Sequence, residues 1–129
     1  MERTRIDSGT EWEARVGYSR AVRVGPHVHV SGTTATDDAG ELVGVGDMAA
    51  QAEQAFANVE SALERAGARL ADVVRTRVYV TDVERWEAVG DAHGEYFGTV
   101  RPAMSLVEVS GLVDERMLVE VEADAFVDG

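Results

Sequence analysis

The sequence predicts an α+β fold, one sheet with two helices on a single face and elements in the order ββαβαββ. Three observations carry this expectation. Apolar side chains recur at three- and four-residue steps through residues 48–66, the spacing of an amphipathic helix. The stretch "VVRTRVYV", residues 73–80, alternates with the two-residue period of a strand. Further β-rich runs are separated by Gly, Pro and Asp turn chemistry. A chain of 129 residues with 45% hydrophobic content suits one domain, 1–129, and contains no internal repeat, low-complexity segment or linker.

Taken in order, "YSRAVRVG" and "HVHVSGTT" read as a hairpin or two adjacent strands separated by Gly25 and Pro26. "TDDAGE" carries turn residues Asp37, Asp38 and Gly40, and Asp47 is placed to cap the helix that follows. That helix runs from Met48 to about Ala66, with Ala52, Ala55, Phe56, Val59, Leu63 and Ala66 on its apolar face, and Gly67 stops it. In the strand at 73–80, Val74, Thr76, Val78 and Val80 are expected on the core face and Arg75, Arg77 and Tyr79 on the other. Asp82 then caps a second helix, with Trp86, Val89, His93, Tyr96 and Phe97 at helical spacing, ended by Gly98 and Pro102. "VRPAMSLVEV", residues 100–109, reads as a run into a buried strand, and "MLVEVEADAFV" supplies the last strand. Leu106 and Val107 point to opposite faces, so neither face is plainly solvent; a homo-oligomer packing its sheets inward would cover the second face and place ligand clefts between subunits.

Composition removes several functions. With 24 acidic and 12 basic residues the net charge is −12, which repels phosphate backbones and argues against a nucleic-acid partner. Every basic residue is Arg and there is no Cys, which excludes thiolate chemistry, Cys-ligated zinc and lysine Schiff bases. Neither G-x-S-x-G nor G-x-G-x-x-G occurs. No apolar run reaches membrane-span length and the first residues lack a signal-peptide core, so a cytoplasmic protein with no membrane partner is expected. His27 and His29 share a strand face at a chelating spacing, but no third ligand is readable beside them; solvated strand histidines, no metal and no cofactor are the expectation.

The segments "GYSRAVRVG", "VHVSGTT", "AAQAEQAFANVESALERAGA", "DVVRTRVYVTDVERWEAV", "RPAMS" and "LVEVEADA" together resemble the reactive-intermediate deaminase family, the RidA/YjgF-type proteins also labelled endoribonuclease L-PSP. The resemblance implies a chorismate-mutase-like fold, a barrel-like homotrimer, and a small-molecule ligand in a cleft at each subunit interface. It implies hydrolase or deaminase-like action on an enamine, imine or related metabolite. In deaminating members a Pro-Ala-Arg-Ser or Pro-Ala-Arg-Thr motif supplies the Arg that clamps a substrate carboxylate; the matching residue here is Met104. A thioether is only a weak acceptor, so a standard 2-iminoacid deaminase is not expected. Arg101 is a candidate replacement, and Met104 is otherwise a flexible core filler.

Glu120 matches the family glutamate that positions or activates water. Leu118, Glu120, Glu122 and Asp124 alternate onto one face, where mutual repulsion would raise one carboxylate toward general-base range; a solvated acidic face is the plainer alternative. Tyr18 and Ser31 match cleft residues, against a strand aromatic and a strand exit as ordinary alternatives. Backbone groups near Ser105 would polarise the reacting centre. Gly90 stands where some deaminating members carry Asn, and His93 either reaches the cleft as an acid or base or is a satisfied, half-buried histidine. A metabolite-binding trimer without turnover is the alternative function, and an endoribonuclease the weaker one.

Overall fold

The computed structural model describes residues 1–128. The elements are β1 (Arg3–Ile6), α1 (Glu11–Val16), β2 (Ala21–Val24), β3 (His27–Thr33), α2 (Met48–Arg65), β4 (Val73–Val80), α3 (Trp86–Phe97), β5 (Ala103–Glu108) and β6 (Val119–Phe126). They build one mixed six-stranded sheet in the order β1-β2-β3-β6-β4-β5. β4 and β5 pair in parallel, which requires a crossover, and α3 is that crossover. The other pairings are antiparallel. Because β6 inserts between β3 and β4, the connection through α2 packs across both β3 and β6.

Asp47 caps α2 by accepting from the Ala50 backbone N–H at 3.1 Å. The helix buries Met48, Ala52, Ala55, Phe56, Val59 and Leu63 against a sheet face built of valines such as Val28, Val78 and Val121. Gly67, at φ +80, turns the chain out of the helix, and Ala68 N–H returns to the Leu63 carbonyl at 2.8 Å. Phe56 is fully buried in this layer, so its truncation to Ala would cost about 3–5 kcal/mol. Among the described residues no helix is long and apolar enough to cross a membrane.

Several expectations are corrected. β1 and α1 precede the expected ββαβαββ order; β1 buries only Ile6, and the six residues of α1 are too few to show a helical period. In β4 the core position falls to Val73, because the register with β6 slips between Val73 and Arg75 and leaves Val74 as an extra, 54% exposed residue. β5 is not buried: it is the edge of the sheet, with Met104 37% and Val107 46% exposed. Trp86 opens α3 and is largely exposed rather than on its core stripe. Asp82 caps a 3-10 turn, Val83–Arg85, by accepting from Glu84 N–H at 3.1 Å, and that turn leads into α3.

The open face of the sheet is also less apolar than expected. It carries cross-strand polar pairs: Arg77 Nη1 donates to Asp124 Oδ2 at 2.9 Å, Tyr79 Oη donates to Glu122 Oε1 at 2.6 Å, and His29 Nδ1 meets Asp124 Oδ1 at 2.8 Å. Burial alone would raise the Asp124 carboxyl, but its hydrogen bonds to His29 and Arg77 outweigh burial and hold it below the ordinary range.

Candidate functional site

Ser31 and Glu120 lie where the segment before β2, which carries Tyr18, meets β3 and β6. β3 carries a bulge here: Val30 pairs with Ala123 and Thr33 with Val121, so Ser31 and Gly32 lie off the regular ladder. Ser31 Oγ donates to the Ser19 carbonyl at 2.6 Å, and Ser31 N–H donates to the Arg20 carbonyl at 3.0 Å. These bonds tie the segment that holds Tyr18 to the bulge. The Glu120 carboxylate packs over Gly32 so closely that a Cβ there would lie 2.8 Å from it. Only glycine leaves that space.

Glu120 is half-buried, and burial pushes its carboxyl above the ordinary range. The Glu122 charge adds to the rise and the Arg20 charge opposes it. Repulsion within the acidic face, the cause expected from the alternation, is therefore secondary to desolvation. A shift in this direction is the one that general-base work by a carboxylate requires.

A second feature lies on the helix-covered side, at the sheet edge. Val83, Trp86, Gly90, His93, Met104 and Leu106 line an open, mainly apolar groove of about 490 Å³ between β5 and α3. Met104 is the register partner of Thr76, whose side chain is fully buried beneath the helices, so Met104 faces that side too. His93 Nε2 and Thr76 Oγ1 are 2.8 Å apart, and the imidazole packs 4.7 Å from the Phe97 ring centroid. Burial lowers the His93 pKa, because it disfavours the charged ring. A Cβ at Gly90 would sit at ordinary contact distance, 3.5 Å, from the Trp86 ring; space there is open rather than demanded by packing.

The expected site residues thus form two groups. Glu120 lies on the open face beside the Ser31–Gly32 bulge, which Arg20 links to Tyr18; His93 and Met104 line an apolar group on the opposite side of the sheet. Ser105 belongs with neither, since its Oγ accepts from Arg75 Nη2 at 2.8 Å on the open face. Arg101 is exposed, at φ +55, with its N–H on the Phe97 carbonyl at 2.8 Å; its backbone terminates α3 and it is not among the groove-lining residues. Sequence reasoning missed Arg20, whose side chain is only 13% exposed and whose charge acts on Glu120. Its signal was faint: one Arg at the start of a β-rich run, with its β3 partners Gly32 and Thr33 twelve or more residues away.

The chain thus combines a mixed α+β sheet with an edge groove and a carboxylate over a glycine bulge. The family model for Endoribonuclease L-PSP matches residues 8–127. A Mycobacterium tuberculosis member of the YjgF/YER057c/UK114 family superposes with a TM-score of 0.89 at 53% identity, covering 98% of this chain and 100% of that one. An uncharacterized Streptomyces coelicolor protein is 41% identical over 95% of this chain and 90% of its own length. The 3-aminoacrylate deaminase RutC of Acinetobacter baylyi is 34% identical over 85% of this chain and 86% of its own. The chain belongs to this RidA/YjgF/L-PSP family.

Proposed function

We propose that this protein is a homotrimeric hydrolase that deaminates a small enamine or imine at clefts between its subunits. The observation that carries the reading is the separation of the two groups: one chain holds Glu120 on the open face of the sheet and the Met104 groove on the helix side of its edge. A second copy laid against the open face would bring its own edge groove to the first copy's Glu120, so one cleft takes half its lining from each subunit. The named activity of the Acinetobacter relative, on an enamine, supports the reaction class.

The chemistry needs no cofactor. An enamine first tautomerises to its imine. Glu120 takes one proton from water as the water oxygen bonds to the imine carbon, and passes it to nitrogen to give a carbinolamine; it then takes the hydroxyl proton and delivers it to nitrogen as the carbon–oxygen double bond forms and the carbon–nitrogen bond breaks. Imine plus water becomes carbonyl plus ammonia, and the carboxylate ends as it began. Backbone groups of β5 near Ser105 would polarise the reacting centre. Met104, with Trp86 and Leu106 about it, favours a substrate whose recognised end is apolar rather than a carboxylate.

The test is ammonia release from imines generated in situ, with light scattering for the mass of the assembly. Wild type should turn over 2-iminoacids at or near background. Met104→Arg should raise that rate, because a bidentate charged contact is worth about 2–3 kcal/mol, or roughly 30- to 150-fold. Glu120→Gln should remove the gain. Robust wild-type turnover of 2-iminoacids that survives Met104→Ala would overturn the assignment of Met104. Saturable ligand binding without ammonia release from any imine would favour a binding trimer instead.

A further inference from the structure

We propose that Arg20, locked by the buried carboxylate of Glu13, is a positioning residue of the polar half-site: it holds Tyr18 and the Gly32 peptide in place and supplies the positive charge that Glu120 faces. This rests on the reading of Glu120 as the water-activating group, and it is carried by geometry.

A guanidinium offers five N–H donors in a rigid plane. Arg20 Nη1 donates to the Gly32 carbonyl at 2.6 Å and to Thr33 Oγ1 at 3.0 Å, and Nη2 reaches Tyr18 Oη at 3.4 Å. Nε lies 3.6 Å from Glu13 Oε2, and the guanidinium carbon stands 5.6 Å from the Tyr18 ring centroid. Glu13, only 5% exposed, is itself fixed. It accepts from Ser8 N–H at 2.9 Å, from Ser8 Oγ, and from Thr10 Oγ1 at 3.2 Å. These bonds satisfy the buried carboxyl oxygens and fix the side chain against which Arg20 packs.

Gly32 joins this network to the reacting group. Its carbonyl accepts from Arg20 while its α-carbon lies beneath the Glu120 carboxylate. The charged and titratable groups about Glu120 are Glu122 on its own strand, Tyr79 and Arg77 on β4, and Arg20 from the segment before β2. Arg77 is taken by Asp124 at 2.9 Å, and Arg20 is the cation whose charge acts on Glu120. Without it, Glu120 would face Glu122 unopposed and hold its proton more tightly, while Tyr18 would lose its anchor.

The experiment follows the Glu120 carboxyl signal by NMR titration of the full-length protein carrying carbon-13-labelled glutamate, assigned with Glu120→Gln. Arg20→Gln should move the Glu120 midpoint upward, and any acid limb of kcat/KM should move with it. Arg20→Lys should keep the midpoint near wild type but shift or broaden the Tyr18 ring signals, because a single ammonium cannot serve Gly32, Thr33 and Tyr18 together. An unchanged midpoint in folded Arg20→Gln overturns the proposal. If that variant does not fold, unchanged Tyr18 signals in Arg20→Lys overturn it. The titration needs no turnover, so failure of every imine substrate would sink the proposed reaction while leaving the Arg20 result legible.

Discussion

Gln51→Leu removes the amide that joins α2 to the chain entering β6. The side chain is fully buried on the helix. Its Nε2 donates to the Gly44 carbonyl at 3.1 Å and to the Arg116 carbonyl at 2.9 Å, and its Oε1 accepts from Leu118 N–H at 2.8 Å. Leucine fills a similar volume, so the cost is polar rather than a cavity. The Gly44 carbonyl keeps a second donor, Asp47 N–H at 2.8 Å, but the Arg116 carbonyl and the Leu118 N–H lose these bonds. At about 1–3 kcal/mol for each of the two groups left unpaired, the loss is on the order of 2–6 kcal/mol. With a urea m-value of about 2 kcal/mol/M, the unfolding midpoint should fall by roughly 1–3 M at fixed protein concentration with unchanged m. Leu118 lies two residues before Glu120, so ammonia release should fall as well. A midpoint shift below ~0.3 M would refute the argument, showing that water replaces the amide at no cost.

Gly32→Ala should leave the thermal midpoint nearly unchanged, since the clash is with the flexible end of Glu120, yet abolish ammonia release by displacing that carboxylate. Glu120→Gln should stabilise the protein at neutral pH. A carboxyl raised by burial favours folding in its protonated form, so its contribution is stabilising below the unfolded value and lost as pH rises through the folded one. The gain from the substitution should therefore shrink on acidification in melts run across pH; a gain that grows instead would contradict the sign. Asp114, held at about 2 chiefly by its side-chain hydrogen bond with Arg116, should titrate higher by NMR in Arg116→Ala. A short RNA should show no saturable binding at moderate salt, given −12 of charge per chain; salt-sensitive binding by clean protein would contradict this.

What was legible in the sequence was local. The apolar stripe of α2 and its Asp47 cap depend on residues three and four apart, and the structure buries Ala52, Ala55, Phe56, Val59 and Leu63 as the period requires. The alternation of β6 likewise places Val119, Val121, Ala123 and Ala125 inward and Glu120, Glu122 and Asp124 outward. Glu120, Tyr18 and Ser31 came from motif resemblance, and their proximity could not be read from spacing. Tertiary structure decided the rest, because it depends on which strands lie side by side. The bulge that exposes Val74 exists only in register with β6. Placing β5 at the edge leaves Met104 in an open groove instead of a core. Arg20 draws Glu13, Tyr18, Gly32 and Thr33 from separate segments into one network. Sequence periodicity reports the face a residue takes on its own element; a site forms where the faces of several elements converge, and that convergence is set by sheet order and register.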